Sequence, residues 1–149
     1  MTTTIGFIGL GMMGHGIAKN LVEKGFPLAV RGHRSRAPID DLVGRGATEV
    51  KTNADLARAS DIVILCVTGA PQVEEVMIGP EGVAGAARPG TIVVDTSTSE
   101  PATTAKMREA LAKQDVRFVD APLARTPVEA EQGRLNTMVG ADDATFAEL

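Results

Sequence analysis

Short apolar runs alternate along the chain with segments whose apolar residues recur at helical spacing. Two of these runs, Ile62–Leu65 and Ile92–Val94, are continuous and largely β-branched, which is typical of strands buried on both faces of a parallel sheet. The pattern predicts strands at Thr4–Leu10, Pro27–Arg31, Thr48–Val50, Ile62–Val67, Thr91–Asp95 and Arg117–Ala121.

Helical spacing fills the intervals between these strands. The predicted helices are Gly14–Lys24, Ile39–Arg45, Asn53–Ala59, Pro71–Met77 and Pro101–Lys113. We expect Asn53 to cap its helix, and Ser97 with Glu100 has capping-box spacing ahead of Pro101. Strands that alternate with helices favour a doubly wound α/β fold, with a mostly parallel sheet in the order 3-2-1-4-5-6.

Beyond Ala121 the alternation weakens. The segments that follow are interpreted as a loop or short helix at Pro122–Gly133, a further strand at Leu135–Gly140 and the start of a helix at Asp142 and Asp143. Because Ala144–Leu149 does not complete that helix, we interpret the chain as ending short of a longer protein. Residues 1–149 are expected to form one domain.

Composition narrows the classes of partner. The chain has 149 residues and a net charge of −4, which argues against general nucleic-acid affinity. No apolar run reaches the roughly 18 residues that a membrane span needs, so no membrane partner is expected. The one cysteine, Cys66, excludes an internal disulfide and agrees with a cytoplasmic location. We interpret it as a packing residue, and no metal site is predicted.

The most specific motif is the glycine pattern Gly-x-Gly-x-x-Gly at Gly9, Gly11 and Gly14. It follows the first predicted strand and precedes the first helix, which is the context of a dinucleotide-binding turn. Gly9 permits the tight turn, Gly11 lets the backbone approach a pyrophosphate, and Gly14 lets the helix pack on the strand. Unpaired N–H groups at the helix N-terminus would then meet the phosphate charge.

The segment after the second strand indicates which dinucleotide is bound. No acidic residue occurs between Lys24 and Asp40, although a carboxylate for the ribose 2′-hydroxyl is usual in sites that prefer NAD. The segment instead contains Arg31, His33, Arg34, Ser35 and Arg36, and guanidinium groups suit a 2′-phosphate. NADP is therefore expected, with NAD as the alternative. A solvated basic turn whose arginines pair with Asp40 and Asp41 is the other interpretation.

Several segments together resemble one family. Gly6–Gly14 followed by Ala18–Leu21 resembles the opening of the β-hydroxyacid dehydrogenases, the group of 3-hydroxyisobutyrate dehydrogenase and tartronate semialdehyde reductase. Further segments agree with that family in order, namely Asp61–Val67, Asp95–Pro101, Val119–Pro122, Gly133–Leu135 and Met138–Gly140. The resemblance implies an N-terminal Rossmann domain for NAD(P), with a C-terminal helical domain that this chain lacks and through which the family usually dimerises.

The resemblance also implies roles for particular residues. Phosphate contacts are carried over to the glycine loop, including Leu10, Met12 and Met13. Val67 and Thr68 would border the cofactor, Thr98 would approach the nicotinamide, and Ser97 would lie beside the substrate. Helix capping is the alternative role for Ser97 and Thr98.

The chain departs from the family after Pro122. Where the family usually has Ser-Gly-Gly, this chain has Ala124, Arg125 and Thr126, which are expected to contact substrate. The Arg-Thr pair is similar to the loop of sulfolactaldehyde reductases, so a sulfonated or dianionic substrate is expected. An ion pair of Arg125 with Glu129 or Glu131 is the alternative.

The resemblance implies hydride transfer between a nicotinamide and a small anionic 3-hydroxyacid or its aldehyde. The family's general acid/base is a lysine that would lie beyond Leu149, so no catalytic residue is expected in this chain and the chain alone should be nearly inactive. An imine reductase cofactor domain and a non-enzymatic nucleotide-binding module remain alternatives.

Overall fold

A computed structural model describes residues 2–149. Six strands form its main sheet: β1 (Ile5–Ile8), β2 (Leu28–Val30), β3 (Thr48–Glu49), β4 (Ile62–Leu65), β5 (Ile92–Asp95) and β6 (Arg117–Asp120). The strands are connected by α1 (Met12–Glu23), α2 (Ala37–Gly44), α3 (Asn53–Ala59), α4 (Ala70–Ile78) and α5 (Pro101–Leu111). A 3₁₀ turn at Ala112–Gln114 extends α5.

The sheet has the order β3-β2-β1-β4-β5-β6, and every pair is parallel. The predicted doubly wound fold and strand order are therefore confirmed. The order reverses at β1, whose two neighbours are β2 and β4. The loops that leave β1 and β4 consequently diverge, and a ligand crevice opens at the carboxyl ends of the strands.

Apolar side chains fill both faces of the sheet. One face buries Val63, Leu65 and Val93 against α4 and α5, which contribute Met77 and Met107. The other face buries a second cluster against α1 and α2, formed by Ile5, Phe7, Ala18, Leu28, Val30, Ile39 and Leu42. This two-sided burial explains why the strands are continuous apolar runs.

Some predicted helix starts were wrong. Helix α1 begins at Met12 rather than Gly14, with Gly11 as its N-cap. Asn53 is not the cap of α3, because the Thr52 hydroxyl accepts the N–H of Asp55 at 3.0 Å.

The predicted capping box before α5 was also wrong. The N-cap of α5 is Glu100, which makes no side-chain capping bond, although Pro101 does occupy the first turn as predicted. The Ser97 hydroxyl instead accepts the N–H of Val67 at 2.9 Å. It therefore ties the loop after β4 to the loop after β5.

The region after β6 adds a small second sheet. β7 (Leu123–Ala124) pairs antiparallel with β8 (Asn136–Thr137) around α6 (Pro127–Glu131), and α7 (Asp143–Glu148) follows. The predicted strand Leu135–Gly140 was too long, since beyond β8 it makes one isolated bridge, from Gly140 to Asp120. The predicted start of the last helix is confirmed, with Asp142 as its cap.

Helix α6 is clamped onto α1, the helix that follows the glycine loop. The Asn20 amide donates to the carbonyls of Gly16 and Ala130 at 2.8 and 3.0 Å. Glu131 accepts from Lys19, and one of its oxygens lies 3.2 Å from Nδ1 of His15. The clamp fixes the segment after Pro122 relative to the glycine loop.

Gly14→Ala should destabilise the fold. A Cβ at Gly14 would lie 1.8 Å from the Gly9 carbonyl oxygen, so α1 would have to move away from β1, at a cost of about 1–3 kcal/mol. Urea denaturation of the variant measures this loss. Gly44→Ala on α2 is the matched control, because a Cβ there meets nothing within 4 Å. Equal stability of the two variants would contradict the close approach.

Glu131→Gln should remove a pH-dependent part of the clamp. Lys19 and His15 lower the pKa of Glu131 from its ordinary value of 4.5. Its contribution to the free energy of unfolding is therefore present above about pH 4.5 and is lost as the pH falls further. We expect the free energy of unfolding of the variant to be lower than that of the wild type by up to about 1 kcal/mol at pH 7. The loss is small because the carboxylate is partly exposed.

The deficit of Glu131→Gln should shrink below pH 4.5, and chemical denaturation across the acid range measures it. The exposed Glu109 supplies the control variant Glu109→Gln. A deficit that stays constant down to pH 3 would show that the ionised form of Glu131 is not what holds α6.

Candidate functional site

The glycine loop lies at the mouth of the crevice. Gly9 has a φ of +101°, and a Cβ there would lie 2.1 Å from the Cys66 carbonyl oxygen. Gly9 is therefore required by the turn and by the loop after β4. Gly11 differs, since a Cβ there would meet nothing within 4 Å and its φ is −79°. The protein itself places no steric demand on Gly11, which leaves its surface open to a ligand.

The first turn of α1 presents unpaired donors. Gly11 supplies no side-chain cap, and no acidic residue occupies that turn. The first N–H to find a helical acceptor is that of His15, which donates to Gly11 at 3.0 Å. Within residues 2–149 the N–H groups of Met12 and Met13 have no acceptor. Such a helix N-terminus suits a phosphate.

Met12 adds an apolar surface at the same opening. Its side chain is 82% exposed. Leu10 is half-buried beside it and packs against the cluster under α1. A large exposed methionine next to unpaired N–H groups is compatible with a ligand that has both apolar and anionic parts.

A buried polar network supports the loops after β4 and β5. Asp95 is fully buried and accepts the N–H of Ser97 and the hydroxyl of Ser99, both at 2.9 Å. Ser97 is 3% exposed, and its bond to Val67 joins the two loops. Thr98 and Thr68 are exposed at the loop tips. The structure thus brings Val67, Thr68 and Thr98 together at the crevice, with Ser97 beneath them.

Two ionisable groups near this network, the carboxyl of Asp120 and the thiol of Cys66, have raised pKa values. Partial burial and the neighbouring Asp95 carboxylate raise the pKa of Asp120, against the opposing effect of Arg108. Burial raises the pKa of the Cys66 thiol, which Thr96 partly offsets. Cys66 is half-buried, so it is a packing residue at the crevice wall rather than an activated thiolate.

In the basic segment after β2, some side chains already form hydrogen bonds or ion pairs, whereas others are exposed to solvent. Arg31 donates to the Lys51 carbonyl and to Oδ1 of Asn53, at 3.3 and 3.1 Å. Arg36 pairs with Asp40 and Glu49. His33, Arg34 and Ser35 are exposed, and in the described part of the chain the Arg34 guanidinium has no ion pair or side-chain hydrogen bond.

The sequence alone did not identify Glu49 as an acidic residue beside the turn after β2. The sequence between Lys24 and Asp40 contains no acid, but β3 lies beside β2 and brings Glu49, its last residue, to the same edge. A Cβ at Gly32 would lie 3.3 Å from a Glu49 carboxylate oxygen. The signal that could have identified Glu49 is the strand order, because carboxyl ends of neighbouring parallel strands meet.

The segment after Pro122 does not have the ion pair considered above. Arg125 pairs with neither Glu129 nor Glu131, but donates to the Arg134 carbonyl at 3.0 Å. Its φ of +82° lies in the left-handed region that favours glycine. Thr126 is the N-cap of α6, and its hydroxyl donates to Glu129, with which it forms a capping box. Ala124 is half-buried in β7.

Two cavities lie away from the crevice. One, of about 580 Å³, opens beside β6 and is lined by Arg108, Arg117 and Thr145. The other, of about 550 Å³, lies between α3 and the end of α4. Neither contains the glycine loop. The chemistry of the unpaired helix N-terminus, rather than cavity volume, therefore identifies the candidate site.

Two other classes of feature are absent from residues 2–149. No helix in this range combines the length and the apolar character that a bilayer crossing requires. No group of three or more His, Cys, Asp or Glu side chains in the same range has the arrangement of a metal site.

Curated relatives match almost the whole chain. 2-(Hydroxymethyl)glutarate dehydrogenase of Eubacterium barkeri is 39% identical over 145 residues, which are 97% of this chain and 48% of that protein. 2-Hydroxy-3-oxopropionate reductase of Escherichia coli K12 is 37% identical, over 97% of this chain and 49% of that protein. Cytokine-like nuclear factor N-PAC of Xenopus tropicalis is 31% identical, over 97% and 27% respectively. The chain spans about half the length of these two enzymes, and less of N-PAC.

Solved structures share the fold. A 3-hydroxyisobutyrate dehydrogenase from Salmonella typhimurium matches with a TM-score of 0.90 and 28% identity, over 99% of this chain and 51% of the other. Psf3 in complex with NADP⁺ and 2-OPP matches with a TM-score of 0.89 and 31% identity, over 97% of this chain and 51% of the other. An imine reductase from Myxococcus stipitatus is 22% identical with a TM-score of 0.87, over 99% and 50%, which shows a shared fold alone.

A family model described as the NAD binding domain of 6-phosphogluconate dehydrogenase matches residues 4–149. The resemblance to 3-hydroxyisobutyrate dehydrogenase and tartronate semialdehyde reductase is confirmed by the relatives. The chain belongs to this family of NAD(P)-binding Rossmann domains.

Proposed function

We propose that this chain binds NADP at the crevice and forms the cofactor half of an oxidoreductase. The observation that carries the proposal is the first turn of α1, where Met12 and Met13 present N–H groups without acceptors beneath the open surface of Gly11. Phosphate oxygens are the natural acceptors for such donors. The family match over residues 4–149 supports the same ligand class.

The residues present fit a dinucleotide. The pyrophosphate would meet the backbone of Leu10 to Met13, and the nicotinamide half would run towards the loops after β4 and β5. Val67 and Thr68 would form one wall there, with Thr98 opposite. Ser97 would hold the two loops in register from beneath, through its bond to Val67.

The preference for NADP over NAD rests on Arg34. Arg31 is held by Lys51 and Asn53, and Arg36 by two carboxylates. Arg34 therefore keeps its donors available for a 2′-phosphate, with the Ser35 hydroxyl beside it and His33 near the adenine. A guanidinium that is not already paired gains more from a phosphate than one that must leave a partner.

The reaction would be hydride transfer between the nicotinamide and a small anionic 3-hydroxyacid or its aldehyde. The nicotinamide supplies the hydride chemistry when NADP is bound. Residues of this chain would bind the cofactor and position the substrate anion. No general acid/base is assigned among residues 2–149. The relatives from Eubacterium barkeri and Escherichia coli are a dehydrogenase and a reductase by name, which supports this reaction class.

The anionic character of the substrate rests on Arg125. Its guanidinium is exposed and pairs with no carboxylate among the described residues, while one nitrogen is held by the Arg134 carbonyl. A sulfonate or second carboxylate on the substrate would meet the remaining donors. Thr126 and Ala124 would line the same loop, whose position relative to the glycine loop is fixed by the clamp between α1 and α6.

A second candidate is a nucleotide-binding module without enzymatic activity. The observation that favours it is the similarity to N-PAC, which is named as a nuclear factor and matches 97% of this chain. Cofactor binding is common to both candidates. The likeness to an imine reductase concerns the fold and does not favour that chemistry.

Arg34→Ala should weaken NADPH binding about tenfold and leave NADH binding nearly unchanged. The expected loss is that of one charged hydrogen bond, at the lower end of its range because the site is exposed. Calorimetric titration of wild-type and variant chains with each coenzyme measures it. Arg58→Ala is the matched control, since Arg58 is an exposed arginine paired within α3. If the variant bound NADPH and NADH with equally reduced affinity, Arg34 would not be a contact of the 2′-phosphate.

Arg125→Gly should weaken binding of a sulfonate more than that of a matching carboxylate. Glycine also fits the φ of +82°, so the variant should keep the fold while losing the forked donors. Titrations of the NADP⁺-saturated chain with 3-hydroxypropane-1-sulfonate and 3-hydroxypropanoate, followed by NMR, compare the two. Arg134→Gly is the control, because its carbonyl remains in place. If the ratio of the two affinities were unchanged, Arg125 would not be a contact of the substrate anion.

A further inference from the structure

An ion-paired cluster lies beside the turn after β2, where the proposed cofactor would place its ribose. The Arg36 guanidinium forks onto Glu49, with Nη1–Oε1 and Nη2–Oε2 distances of 2.5 and 3.1 Å. The same Nη2 lies 2.8 Å from Oδ1 of Asp40. One arginine thus holds two carboxylates, one from β3 and one from α2.

The cluster lies directly against the backbone of the turn. A Cβ at Gly32 would lie 3.3 Å from Glu49 Oε1 and 3.4 Å from Arg36 Nη1. Gly32 is two residues beyond Val30, the last residue of β2. In dinucleotide sites the end of the second strand adjoins the ribose 2′ position, where a carboxylate selects NAD. Glu49 therefore lies close to the position that the local sequence leaves without an acid.

We propose that Arg36 sets the choice of cofactor by pairing with Glu49 and Asp40 and offsetting one of their two negative charges, so that the turn accepts the 2′-phosphate of NADP. The inference rests on the proposed function and extends it to a residue that does not touch the phosphate. With Arg36 in place, both carboxylates are committed to its guanidinium. Without it, Glu49 is a free acceptor for a ribose 2′-hydroxyl and a repulsive charge for a 2′-phosphate.

The balance of charge explains why one residue suffices. The segment after β2 carries Arg31, Arg34 and Arg36, and Arg36 pairs with the carboxylates of Asp40 and Glu49. Three arginines against two carboxylates make the group net positive. Removal of Arg36 leaves two arginines and two carboxylates, so the net positive charge that attracts a phosphate is lost. Charges a few ångströms apart near a protein surface interact strongly enough to change affinity about tenfold.

A purely structural role explains the cluster less well. The side chains of Arg36 and Asp40 are 61% and 63% exposed, and pairs this exposed contribute little to stability. Arg45, the C-cap of α2, pairs with Asp41 and Glu23 at the other end of the helix. Since α2 already has this second set of pairs, the position of Arg36 against Gly32 is better explained by the ligand than by the helix.

The test compares coenzyme affinities for four forms of the full chain: wild type, Arg36→Ala, Glu49→Gln and Arg36→Ala combined with Glu49→Gln. Calorimetric titration with NADPH and NADH gives the ratio of the two affinities, and thermal melts verify folding. Arg36→Ala should lower the NADPH-to-NADH ratio about tenfold. Glu49→Gln in the wild-type background should raise it, and the double variant should recover most of the loss.

Two results would overturn the inference while leaving the proposed function intact. An equal loss of affinity for both coenzymes in Arg36→Ala would show that the cluster is structural. A double variant with an NADPH-to-NADH affinity ratio as low as that of Arg36→Ala would show that Arg36 contacts the phosphate itself. If the wild-type chain binds neither coenzyme, the proposed function fails and this inference fails with it. Arg58→Ala, remote from the turn, should leave the ratio unchanged.

Discussion

The close approach of α1 to β1 is the constraint on which the rest of the structure depends. Gly14 brings the helix so near the turn that a side chain there would overlap the Gly9 carbonyl. This approach aims the unpaired N–H groups of the first turn into the crevice. It also fixes the opposite face of α1, where Asn20 and Lys19 hold α6 and the loop that carries Arg125. One packing contact therefore positions both the proposed phosphate site and the proposed substrate loop.

Much of the fold could be predicted from the sequence because its signals are local. Continuous β-branched runs identify the buried strands, and their alternation with helices specifies a doubly wound sheet. The three glycines identify the turn, because Gly9 needs a positive φ and Gly14 needs the absence of a Cβ. Strand ends were predicted less well, since β4 stops at Leu65 where pairing with its neighbours ends.

The site was harder to predict because its contacts join residues far apart in the chain. Glu49 reaches the turn after β2 through strand pairing, 13 residues from Arg36. Ser97 has the spacing of a cap, but its hydroxyl is used 30 residues away by Val67. Arg125 has acidic neighbours in sequence, yet the capping box of α6 engages Glu129 and the clamp engages Glu131. In each case the tertiary structure, rather than proximity along the chain, determines which partner is used.

The most direct test of the central claim is calorimetric titration of this 149-residue chain with NADPH and, separately, with NADH. The account predicts binding of both coenzymes, with NADPH the tighter, because the helix N-terminus serves the shared pyrophosphate and Arg34 serves the 2′-phosphate. Tighter binding of NADH would contradict the role given to the arginine segment. Binding of neither would contradict the assignment of the glycine loop as a cofactor site in this chain.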